Sequence, residues 1–159
     1  MKITIIAVGR IKEKYLNNAI SEYTKRLTKY TKLEIIEVKD ESAAENLSRQ
    51  EANNIKAIEG KRILSKILPN GFVIALAIDG ASIPSEEFSA FIEAKRINGT
   101  SHFYFIIGGS LGLSDDVLKT ADYKLSFSKM TFPHQLMRVI LLEQVYRGFK
   151  ILKKEPYHK

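Results

Sequence analysis

The sequence predicts an α/β protein built on a mainly parallel sheet with helices on both faces. Three observations carry that expectation. Short apolar runs of strand length alternate with longer segments of helical periodicity along the whole chain. Most of the runs are apolar almost without a break, as in strands buried on two sides. No stretch of linker composition divides the chain, so residues 1–159 are expected to form a single domain.

Each element follows from local chemistry. KITIIAV (2–8) reads as a buried strand, and Glu13 to Leu27 as a helix carrying Tyr15, Leu16, Ile20, Tyr23 and Leu27 at helical spacing. LEIIEV (33–38) is the second strand. A polar stretch, Lys39–Asn46, leads to a helix from Ser48 to about Ile67, with Ser48 and Glu51 spaced as a capping box. Pro69–Asn70–Gly71 is a turn before FVIALAI (72–78), the third strand. Pro84 opens a helix that Asn98–Gly99 ends. HFYFII (102–107) is the fourth strand and runs into GGSLG. Ser114 caps a short helix, YKLSF (123–127) is the fifth strand, and His134 to about Lys153 is the last helix.

Composition narrows the function. A chain of 159 residues buries a real core unaided. The absence of cysteine removes disulfides, thiolate metal sites and a Cys nucleophile. The first apolar run, Ile3 to Val8, is too short for a signal segment, and no stretch approaches membrane-spanning length. A soluble, intracellular protein is expected. The net charge of +7 is uneven: Lys129 to Lys159 holds seven Lys and Arg against Glu143 and Glu155, whereas the first 128 residues hold eighteen against sixteen acids. Such an excess suits a polyanionic partner, although a solvated helix face with a basic tail gives the same count.

In parallel sheets ligands bind at the carboxyl ends of strands. Three ends stand out here: Leu76 to Gly80, Gly108 to Gly112, and Phe127 to Phe132. GGSLG lets a backbone approach a ligand closely, yet it is not the G-x-G-x-x-G dinucleotide fingerprint, and no phosphate loop is present. The three histidines, His102, His134 and His158, show no metal-ligand spacing, so no metal is expected. No G-x-S-x-G elbow occurs. Group transfer from a bound cofactor stays open, since the protein then has only to bind and orient.

The last helix is apolar over a wide arc, from Met137 through Leu141, Leu142, Val145, Tyr146 and Phe149 to Leu152, and Val139 and Ile140 widen it further. That width predicts a second surface to bury against, either core or a partner subunit, with charge at Leu142 or Val145 expected to split a dimer. Arg138 falls inside the arc, one turn after His134. A buried arginine needs an acceptor. Capping a neighbouring loop and serving a ligand are equally good readings of it alone.

MKITIIAVGRIKEKY, FYFIIGGSLG, SFSKMTFPHQLMRVILLEQVYR and the ending PYHK together resemble the RlmH family, small SPOUT (α/β-knot) methyltransferases acting on N3 of a pseudouridine in large-subunit ribosomal RNA. The likeness covers the chain from end to end; only Lys39 to Ile67 carries little of it. It implies a C-terminal trefoil knot, an exception to the rule of unknotted topology. It implies S-adenosylmethionine bound at Leu76, Gly108, Phe127, Ser128, Lys129, Met130, Thr131 and Phe132. It also implies a cytoplasmic homodimer acting on 23S rRNA in the ribosome. His134 and Arg138 would be catalytic: His134 accepting the N3 proton and Arg138 stabilising the developing oxyanion, or Arg138 gripping phosphate while water takes the proton. Arg138, Tyr157, His158 and Lys159 would contact RNA, the tail by stacking on a loop nucleotide. A non-catalytic RNA-binding module and a nucleotide-binding oxidoreductase are the rivals, separable by binding of S-adenosylmethionine and of NAD.

Overall fold

Five strands and five helices alternate in the computed structural model, which describes residues 1–159. The first half holds β1 (Lys2–Val8), α1 (Lys14–Leu27), β2 (Lys32–Val38), α2 (Arg49–Leu64) and β3 (Phe72–Ala81). The second holds α3 (Ser85–Ile97), β4 (His102–Ile107), α4 (Asp115–Thr120), β5 (Tyr123–Leu125) and α5 (His134–Leu152). Every ladder is parallel, in the order β2-β1-β4-β3-β5. The expected α/β architecture is the one found.

The pleat sorts each central strand between two cores. Ile3, Ile5 and Ala7 of β1 and Phe103, Phe105 and Ile107 of β4 join a cluster roofed by α1, α3 and α5. Ile6, Val8, Tyr104 and Ile106 face the other way, against Ile63 of α2 and Val117 of α4. Both caps form as their residues dictate. Ser48 Oγ accepts from the Glu51 amide while Glu51 accepts from the Ser48 amide, and Ser114 accepts from the Val117 amide.

β3 runs past its expected end and β5 stops short of its own, for a shared reason. After Leu76 the pairing breaks, and Ala81 rejoins β5 at Leu125. The Ser126 amide then donates to Ala81 O at 2.9 Å. Gly80 lies where the two backbones cross: a Cβ there would stand 2.7 Å from the Lys124 carbonyl carbon and 2.8 Å from that of Leu125.

α5 corrects part of the expectation drawn from its breadth. Leu141, Leu142, Val145 and Phe149 are buried in the protomer's own core, Leu142 at 0% exposure, so charge there would unfold the chain and leave dimerisation untested. The apolar surface left over lies on the opposite side of its first turns, where Leu136 is exposed and Val139 and Ile140 are half-buried. The exposed Met130, Phe132 and Ile78 lie outside α5, the first two in the loop before it and Ile78 in the last part of β3. No helix is long and apolar enough to cross a membrane.

Candidate active site

The three strand ends converge on one cavity of about 670 Å³, within the roughly 300–1,000 Å³ usual for small ligands and cofactors. Leu76, Gly108, Phe127, Ser128, Met130, Thr131 and Phe132 line it, as does His134; Lys129 does not. Backbone geometry makes these walls. Gly112 takes a left-handed turn at φ 83°, and a Cβ on Gly108 would lie 2.8 Å from the Gly112 carbonyl carbon. Gly108 is therefore required by the loop's own crossing before any ligand arrives. On the facing wall Ser126 Oγ donates to Ser128 O, and Ser128 Oγ accepts from the Met130 amide, which curls Phe127–Phe132 round the opening. Ser126 was not singled out by sequence pattern; serine two residues before another in a strand-end loop is its only sequence signal.

His134 begins α5 with Pro133 as its N-cap and is half-buried at the cavity. Burial first, then the Arg138 charge, pulls its pKa below the ordinary 6.5, while Asp40 and Glu13 oppose that. The ring is therefore neutral at pH 7 and free to accept a proton. Gly9, in the left-handed region at φ 82°, lets the chain turn beneath it: a Cβ there would meet His134 Nε2 and the Asp40 carboxyl carbon, each at 3.7 Å.

Arg138 is not on the cavity wall. Its side chain is 2% exposed and spans the carboxyl end of β1. Nη2 donates to Val8 O and Gly9 O, Nη1 pairs with Glu37 Oε1 at 2.6 Å, and Nε is buried without a partner. The tail lies apart from the cavity as well. Tyr157 packs edge-on against Tyr146 and donates to Glu143 Oε1, its pKa pushed up to about 12 by burial and by hydrogen bonds to Tyr23 and Glu143. His158 bridges Glu86 at 2.8 Å and Arg147 at 3.2 Å. The structure thus brings His134 to the expected cofactor residues and holds Arg138, Tyr157 and His158 elsewhere in the protomer. No group of three or more His, Cys, Asp or Glu is placed to hold a metal ion.

Sequence comparison decides the family. The family described as predicted SPOUT methyltransferases matches residues 1–158. The chain belongs to this family. A relative from Clostridium botulinum is 64% identical and one from Carboxydothermus hydrogenoformans 60% identical, each over 159 residues and the full length of both chains; both bear the name ribosomal RNA large subunit methyltransferase H. Among solved structures, "a probable methylase family protein" from Haemophilus influenzae superposes with a TM-score of 0.52 at 11% identity, over 99% of this chain and 70% of that one. At that identity the likeness speaks for the fold. In a SPOUT methyltransferase the cavity fits a methyl donor: glycine backbone on one wall, Leu, Phe and Met side chains on the other, and a neutral imidazole at its edge.

Proposed function

We propose that the protein methylates N3 of a pseudouridine in large-subunit (23S) ribosomal RNA, using S-adenosylmethionine and acting in the cytoplasm on the ribosome. The full-length identity of 60–64% to relatives named for large-subunit ribosomal RNA methylation carries this reading. The basic C-terminal segment suits the polyanionic substrate.

Leu76, Gly108 and the Phe127–Phe132 wall would hold the cofactor, which supplies a methyl already activated on a sulfonium. The chain's own work is to align the target nitrogen and to take its proton. The imide N3 is a weak nucleophile until deprotonated, and neutral His134 is the one titratable side chain on the cavity wall, so it acts as the base. Arg138 serves chiefly by fixing Val8 and Gly9, the turn that His134 faces. In the free protomer Tyr157 and His158 stay against α5; the RNA contacts of Tyr157, His158 and Lys159 would require RNA or a second subunit to draw the tail away. Leu136, Val139 and Ile140 are the surface on which a homodimer would form, and membership of the SPOUT family supports a threaded, knotted C-terminal segment. Lys129, between the lining residues Ser128 and Met130, would belong to the cofactor loop without its side chain facing the cavity.

Transfer of a tritiated methyl group to 70S ribosomes and to free 23S RNA, run side by side, tests the proposal. Label on a pseudouridine of the ribosomal substrate is the expected result. RNA binding with neither S-adenosylmethionine binding nor transfer to either RNA would favour a non-catalytic RNA-binding module.

A further inference from the structure

No carboxylate lines the cavity, yet one is buried directly behind it. Glu59 of α2 is 4% exposed. Its Oε1 accepts from the Glu41 amide at 3.0 Å, and its Oε2 has no hydrogen-bond partner. That oxygen stands 3.1 Å from where a Cβ on Gly109 would be, and Gly109 is itself part of the cavity wall. One glycine backbone thus separates a largely buried carboxyl, one oxygen of which has no protein hydrogen-bond partner, from the ligand space. The α2 platform is pressed close all along this edge: at the next residue, Gly60, a Cβ would collide with the Ser114 side chain.

Burying a carboxylate is costly unless it is well paired, and Glu59 has only the Glu41 amide as a hydrogen-bond donor and Arg62 as a nearby opposite charge. We infer that Glu59 is a specificity-determining residue whose charge, acting across Gly109, favours a cationic sulfonium ligand over the neutral thioether left after methyl transfer. The inference rests on the reading of the cavity as the S-adenosylmethionine site. At the separation of one backbone, a charge pair in a partly desolvated site is worth about five- to tenfold or more in affinity. The thioether, lacking the charge, gains nothing. Glu59 would thereby hold substrate and release product at the same wall.

The groups facing Glu59 are Asp40 and Glu41, which with burial raise its pKa above the ordinary carboxylate value, and Arg62, which lowers it. Burial is the largest of these influences. A raised folded-state pKa means that ionisation of Glu59 weakens the fold as pH rises through that pKa, so neutralising it should strengthen the fold at pH 7.

Calorimetric titration of wild type and Glu59→Gln with S-adenosylmethionine and with S-adenosylhomocysteine is the test, beside thermal unfolding. Gln keeps the acceptor for the Glu41 amide. The expected result is a loss of about fivefold or more for the sulfonium, unchanged affinity for the thioether, and a higher Tm. An unchanged affinity ratio, or an equal loss for both ligands with a lower Tm, would overturn the inference and leave Glu59 a packing residue. Wild type that binds neither ligand would overturn the cofactor reading of the cavity, and this inference with it. Should Glu59→Gln not fold, the ratio is followed against pH in a His134→Gln background, because that imidazole also titrates at the cavity. Preference for the sulfonium should then vanish as pH falls through a pKa above the usual carboxylate range; a flat ratio overturns the inference.

Discussion

Replacing Arg138 by alanine should damage the fold before it damages catalysis. The guanidinium is sealed at the carboxyl end of β1, beyond the last β1–β4 pair, Ala7 and Ile107. Truncation strips the Val8 and Gly9 carbonyls of their donor, at about 1–3 kcal/mol for each buried acceptor left unsatisfied. It also opens the space of the largest fully buried side chain in the protein. Glu37 moderates the loss: its side chain is 37% exposed and can turn to water, so the roughly 3–5 kcal/mol of a sealed, broken ion pair is not reached through that contact. A total of about 2–6 kcal/mol follows from the two acceptors alone, a large share of the 5–15 kcal/mol typical of a domain. For a chain of this length that lowers Tm by roughly 4–24 °C. Thermal and urea unfolding of Arg138→Ala, with Glu37→Gln as the milder partner variant at about 1 kcal/mol or less, measures it. An Arg138→Ala protein within about 0.5 kcal/mol of wild type that had nonetheless lost methyl transfer would refute this reasoning and return the arginine to direct catalysis.

Four further outcomes are expected. Leu136→Glu or Ile140→Glu should leave a folded protomer and shift the light-scattering mass to monomer, whereas Leu142→Glu, in the core, should not fold; a dimer unaffected by the first two would place the interface elsewhere. Gly80→Ala sets a Cβ against backbone that cannot rotate aside, and equilibrium unfolding should show a loss of about 1–3 kcal/mol; wild-type stability would mean that the crossing is loose. Methyl transfer should fall on acidification with a midpoint below the ordinary imidazole value, as His134 gains a proton at its lowered pKa; a midpoint above pH 7 would assign the titration to another group. Removing Pro156–Lys159 should abolish transfer to RNA and leave cofactor affinity unchanged, while the lost Tyr157 contacts with Tyr146 and Glu143 lower stability by about 1–2 kcal/mol; full transfer by the truncated chain would remove the tail from the RNA site.

What the sequence determined by itself is local or periodic. Apolar runs bounded by turn residues marked the strands, and Ser48 with Glu51 marked a helix start, because caps and periodicity act within a few residues. Placing Leu76, Gly108 and Phe127–Phe132 as candidate ligand loops needed only the rule that parallel strands present their carboxyl ends. Tertiary structure alone decided the rest. Arg138 finds Glu37, 101 residues away, and Val8, 130 residues away, so no spacing along α5 could tell a catalytic guanidinium from a cap on β1. The breadth of α5 announced two burial surfaces, but only its packing showed that Leu142 and Val145 belong to the core and Leu136 and Ile140 to the outside. Glu59 lies in the stretch with the least sequence signal, an acidic residue on a polar helix. It becomes a buried charge behind the cavity only because the sheet order sets α2 beneath the Gly109 loop. Periodicity fixes which side of an element is apolar; chain crossing and strand order fix what that side meets.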